Sequence, residues 1–153
     1  MHWISAYMTF KIHLKCIYSK IDCYKPYLTG HLTGHIHLSR IRMNLSGLNY
    51  HRFRHHFINH SSCPNCDSTK EDPEHFFLIC PAYTALCSEL ETKLEQLLPH
   101  HTQLTQNPLR KKHRKEILKF FIFGTKNQEI DKQVFNNIAL FIEKTGRFNH
   151  ALS

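Results

Sequence analysis

Four side chains near the middle of the sequence have the types and spacing to hold one metal ion. Cys63 and Cys66 flank Pro64 and Asn65, and His75 and Cys80 follow, giving C-x2-C-x8-H-x4-C. Two cysteines two residues apart reach a single ion from one tight turn, and His75 and Cys80 close the shell from the start of a helix. Thiolate and imidazole suit zinc, and a tetrahedral shell of three Cys and one His leaves no open position for a substrate or a reactive water. The expected cofactor is Zn2+ in a structural role, and the expected protein is a binding module, not a metal enzyme. The rival is a thioredoxin-like redox pair at Cys63 and Cys66, which needs a strand leading into a helix that begins at the first Cys. The acidic turn after Cys66 and the matched His75 and Cys80 argue against it. His60 is read as a solvated histidine and not as a substitute ligand.

The elements that must position these ligands are legible around them. Ser61, Ser62, Pro64, Asn65, Asp67 and Ser68 supply turn chemistry for a zinc knuckle. Glu71-Asp72-Pro73-Glu74 predicts a helix start, because acids favour the positive end of the helix dipole and Pro is tolerated in the first turn. That helix carries His75, Phe76, Phe77 and Leu78 and ends near Cys80-Pro81. A second is expected over about 83–98, with Tyr83, Leu86, Leu90, Leu94 and Leu97 at three- and four-residue steps. After a polar linker at 100–107, Pro108 opens a helix to about Phe123, stopped by Gly124. A last helix, about 130–145, aligns Val134, Ile138, Phe141 and Ile142, and Gly146 caps it. Phe120, Phe121 and Phe123 are expected in the core with Phe141. Upstream of the knuckle, two short basic helices are expected with a break near Ser46-Gly47. Residues 1–28, rich in β-branched and aromatic types and alternating around Phe10, Ile12 and Leu14, suit a half-buried strand. The expected fold is thus mainly α, a small helical protein around a Cys3His knuckle with a short strand-like N-terminal remnant. Its segments are 1–28, 29–98 and 108–146.

Charge narrows the choice of partner. The formal net charge is +8 with 14 histidines held neutral, a balance that favours nucleic acid or another polyanion. Residues 1–62 contain one acid, Asp22, against four Lys, four Arg and nine His. Arg40, Arg42, Arg52 and Arg54 are the candidate phosphate contacts, with Tyr50, Phe53 and Phe57 either stacking on unpaired bases or packing under the knuckle. His51 and His55 have helical i, i+4 spacing, but no carboxylate completes a second metal site, so they are expected on a basic surface. Cys16, Cys23 and Cys87 are ordinary thiols on this reading. The chain shows no secretory signal and no run of about 18 apolar residues for a membrane span. The expectation is an intracellular protein in a reducing compartment, the nucleus included, with no membrane and no small-molecule substrate as partners.

Three stretches of residues 32–90, roughly 60 of 153 positions, resemble the tail region of non-LTR retrotransposon polyproteins. In that family a reverse transcriptase, often with a ribonuclease H domain, is followed by a Cys-Cys-His-Cys zinc segment. Thr33-Gly34-His35 with Leu38 and Arg40 resembles the family's T-G-H segment, and Leu48-Asn49-Tyr50-His51-Arg52-Phe53 continues it. Cys63-Pro64-Asn65-Cys66 resembles the first ligand pair. Glu74-His75-Phe76-Phe77-Leu78-Ile79-Cys80-Pro81-Ala82-Tyr83 is similar to the family's E-H-F-L-x-x-C-P-x-Y ending. The resemblance implies that Cys63, Cys66, His75 and Cys80 are zinc ligands in a nucleic-acid-binding tail. One position departs: the family has Arg four residues after the Tyr, where this chain has Cys87. No paired aspartates of a polymerase precede the module, and Asp22 alone cannot supply the several carboxylates of a two-metal nuclease. The chain is therefore expected to be a non-catalytic fragment that keeps the tail without the enzymes. The alternative is a helical protein–protein interaction module in which zinc only holds the fold.

Overall fold

A computed structural model of the chain describes residues 30–98, 111–125 and 127–149. The expected strand-like segment, the polar linker and Cys16 and Cys23 lie outside these residues. The described residues contain helices and no strand, as the mainly α expectation requires. In chain order they are α1 (Leu32–Arg42), α2 (Asn49–Arg54), a π turn (His75–Ile79), a 3-10 turn (Pro81–Tyr83), α3 (Thr84–Leu97), α4 (Lys111–Phe123) and α5 (Gln128–Lys144). None is long and apolar enough to cross a membrane.

α5 is the most self-sufficient of these helices in sequence. Asn127 Oδ1 accepts hydrogen bonds from the amides of Glu129 and Ile130, Glu129 and Asp131 sit in the first turn, and Gly146 leaves the helix at φ 62°. Val134, Ile138, Phe141 and Ile142 are buried at the spacing read from the sequence. α1 has no capping side chain of its own. Glu143 of α5 supplies one: Gly34 N donates to its Oε1 at 2.9 Å, and His31 Nδ1 lies 2.7 Å from its Oε2.

The two helices can meet there because Gly34 has no side chain. A Cβ at that position would lie 2.1 Å from the carbonyl oxygen of Ala139. Thr-Gly-His occurs twice in the sequence, at 29–31 and 33–35, and its two glycines do different jobs. Gly30 sits at φ 88° ahead of α1, while Gly34 is inside the helix at the crossing. α5, from the last sequence segment, thus packs on α1 from the middle one, and both share a core with α3 and α4.

Two expectations about packing are corrected. Phe120, Phe121 and Phe141 are buried, but Phe123 is 49% exposed. Gly124, at φ 73°, turns the chain just after it, and the Gly124 amide donates to Phe120 O, so Phe123 sits on the outer side of the last turn. His51 is also not on the surface: it is buried, with Nδ1 2.7 Å from Ser46 Oγ.

Candidate metal centre

The knuckle turn is fixed by backbone. The Cys63 amide donates to Ser68 O at 2.9 Å, and the Asn65 amide points at Cys63 Sγ, 3.5 Å away. Asn65 Nδ2 donates to the Tyr83 hydroxyl at 2.6 Å, tying the turn to the residues beyond Cys80. The second half of the site begins with Asp72, whose Oδ1 accepts from the His75 amide at 2.8 Å with Pro73 between, the arrangement of an N-cap.

From His75 the chain departs from the expected α-helix. The Cys80 amide donates to His75 O at 2.8 Å, closing a turn over five residues. In an α-helix, residue i+5 points roughly 140° away from residue i. The wider π turn brings it back toward the same side, so His75 and Cys80 face one centre. The intervening Phe76 and Phe77 are fully buried, and Phe76 makes edge contacts with Phe77, Tyr83, Phe141 and Phe148 at centroid distances of 4.9–5.7 Å. This aromatic packing anchors the ligand-bearing turn to α5.

The ligand atoms of Cys63, Cys66, His75 and Cys80 all lie within 4.8 Å of one another and could hold a metal ion. Cys63 Sγ and Cys80 Sγ are 3.9 Å apart, Cys66 Sγ and Cys80 Sγ 4.0 Å, and Cys66 Sγ and His75 Nε2 3.3 Å. A tetrahedron with Zn–S near 2.3 Å and Zn–N near 2.0–2.1 Å has edges of about 3.8 Å between sulfurs and about 3.6 Å between sulfur and nitrogen. The separations fit that shape and are far too long for a disulfide, which needs about 2.05 Å. Burial pushes the Cys63 thiol up to about 12 and raises Cys80 as well, so the protein alone does not ionise these sulfurs. Burial lowers the His75 imidazole, which keeps it neutral, as a ligand must be.

The sequence reading missed what supports the knuckle from below. Glu71, expected as a helix-dipole acid, is fully buried instead. Its carboxylate accepts from Arg147 Nε at 2.6 Å, from an Arg147 terminal nitrogen at 2.7 Å and from the Asn49 amide at 2.7 Å. Asn49 in turn donates from Nδ2 to Ser62 O. One carboxylate thus joins the start of α2, the knuckle and the segment after α5. Its arginine partner lies 76 positions away in sequence, so no local signal could have shown it.

The four candidate arginines are not equivalent. Arg52 and Arg54 are exposed and Arg40 is half-buried, and none of the three has an ion-pair partner among the described residues. Arg42 is turned inward: its Nε donates to Ile122 O and its guanidinium lies 4.3 Å from the centroid of Phe135. Phe53 and Phe57 are exposed, whereas Tyr50 is covered by Lys70, whose ammonium is 4.3 Å from the ring centroid. Cys87 donates its thiol proton to Phe77 O at 3.1 Å, a bond to the π turn, and burial raises it to about 11. His60 is exposed and outside the cluster, as expected.

Comparisons of the chain with family models, with curated proteins and with solved structures return no match.

Proposed function

We propose that the chain is a non-catalytic, zinc-stabilised module that binds nucleic acid, of the kind that forms the tail of non-LTR retrotransposon polyproteins. The observation that carries the metal half is the edge lengths of the Cys3His cluster, which suit Zn2+ and close its shell. The ion's part is to hold the Cys63–Cys66 turn against the turn that bears His75 and Cys80. The nucleic-acid half is supported by Arg40, Arg52 and Arg54, which have no carboxylate partner among the described residues, and by the exposed rings of Phe53 and Phe57, of which Phe57 shares a groove with Arg40 and Arg52. Such cations displace condensed counterions, so affinity falls as salt rises.

A salt titration of binding to single-stranded RNA and DNA tests this reading. Three phosphate contacts give a slope near −2 for log affinity against log salt, at about −0.7 per contact on a single strand. A second reading, a helical protein–protein module with a purely structural zinc, is favoured by Leu32 and Ile36, which are 52% and 41% exposed on α1. Absence of binding to either nucleic acid at low salt would decide for it.

A further inference from the structure

We propose that the groove between α1 and α2 seats one phosphate of a single-stranded nucleic acid between Arg40 and Arg52, with the neighbouring base stacked on Phe57. This rests on the nucleic-acid reading above and gives it an address. The groove has a volume of about 230 Å³. Among its lining residues are Arg40, Arg52, His37, His55 and Phe57, and no carboxylate. Guanidinium groups recognise phosphate through paired N–H donors, and two of them on one groove make an anion site without a competing internal anion.

One further observation points to a ligand. Phe57 is 76% exposed, the largest exposure among the bulky apolar side chains of the described residues, and it stands at the same groove. An aromatic face held out in water beside two arginines suits a nucleobase, since every base has a flat face to stack. An acidic peptide would use the arginines and leave the ring idle. The volume is below the about 300–1,000 Å³ of whole-ligand pockets, which suits one residue of a polymer.

The test uses the full, zinc-loaded chain and fluorescein-labelled dT12 and rU12, with a matched duplex and polyglutamate as competitors. Arg40→Ala and Arg52→Ala should each make the salt slope shallower by about 0.7. Phe57→Ala should weaken binding about fivefold or more at an unchanged slope, and Phe57→Trp should restore it. Lys119→Ala, an exposed cation on α4 outside the groove, should leave affinity within about twofold. Phe57 is too exposed for its truncation to disturb the fold, so that variant remains informative if Arg40→Ala proves unstable. If the wild type binds single strands but the Phe57 and Arg52 variants match it in affinity and slope, the groove proposal is overturned and the broader reading stands. If the wild type binds no single strand at low salt, the broader reading falls as well. Polyglutamate or duplex competing as strongly as the single strand also overturns the proposal.

Discussion

At the crossing of α1 and α5 the chain comes close because something is missing, while at the knuckle it comes close because something is shared. Gly34 lets backbone meet backbone, and a single methyl there would collide with Ala139 O. The knuckle instead draws together three sulfurs and an imidazole at about 4 Å, with Cys63 and Cys80 buried and their thiols held in the neutral form. Shape, together with the Glu143 carboxylate that caps α1, fixes the first region, and it needs no cofactor. On the reading proposed above, charge fixes the second, because only a cation makes a cluster of buried thiolates favourable. The Glu71–Arg147 pair links them, since Glu71 belongs to the knuckle and Arg147 follows α5.

The contrast can be broken from either side. The largest effect is expected from removing the ion. Structural zinc supplies about 10–16 kcal/mol of apparent free energy in small zinc-finger peptides. Chelation should therefore abolish amide protection over residues 61–80 while leaving part of it at the α1–α5 crossing, read by hydrogen exchange. Loss of protection at both together would show that the crossing does not stand alone. Next comes Arg147→Ala, which strands a fully buried carboxylate and should cost about 3–5 kcal/mol in chemical denaturation. Glu71→Gln with Arg147→Met should recover part of it.

Gly34→Ala acts on the other region. Overpacking costs typically about 1–3 kcal/mol, and a backbone collision puts this case at the upper end. Its signature is a lowered thermal midpoint with full metal content. The smallest effect concerns His51, which also lines the groove. Burial lowers His51 from 6.5 to about 4. Between those values the unfolded chain binds a proton that the folded chain does not, so stability present above pH 6.5 is lost as pH falls toward 4. The part due to His51 is at most on the order of 3 kcal/mol, and it should be missing from His51→Gln when urea midpoints are compared with the wild type across that window; His35, His37 and His75, also lowered by burial, keep the remainder.

Much of this architecture was legible in the sequence where a signal is local. The break near Ser46-Gly47 separates α1 from α2, and the leucine spacing gave α3 to within a residue at each end. Pro73 and Gly146 mark ends because proline and glycine restrict or free the backbone whatever surrounds them. The four ligands were legible for the same reason: their spacing is a property of one short stretch. What stayed hidden depends on distant partners. The π turn is set by the need to bury Phe76 and Phe77 against α5 while returning Cys80 to His75, and nothing in those six letters distinguishes it from an α-helix. Arg42 reads like Arg40, yet Phe135 and Ile122 claim it. His51, one of a run of histidines, is withdrawn from the surface by Ser46.

The claim on which the rest depends is that Cys63, Cys66, His75 and Cys80 share one ion. Metal analysis of the purified full chain, with Cys63→Ser beside it and zinc-edge absorption to read the ligands, tests it most directly. The account predicts one zinc per chain in a shell of three sulfurs and one nitrogen, with most of the metal lost in the variant. A metal-free wild type, or a zinc content that Cys63→Ser leaves unchanged, would contradict it.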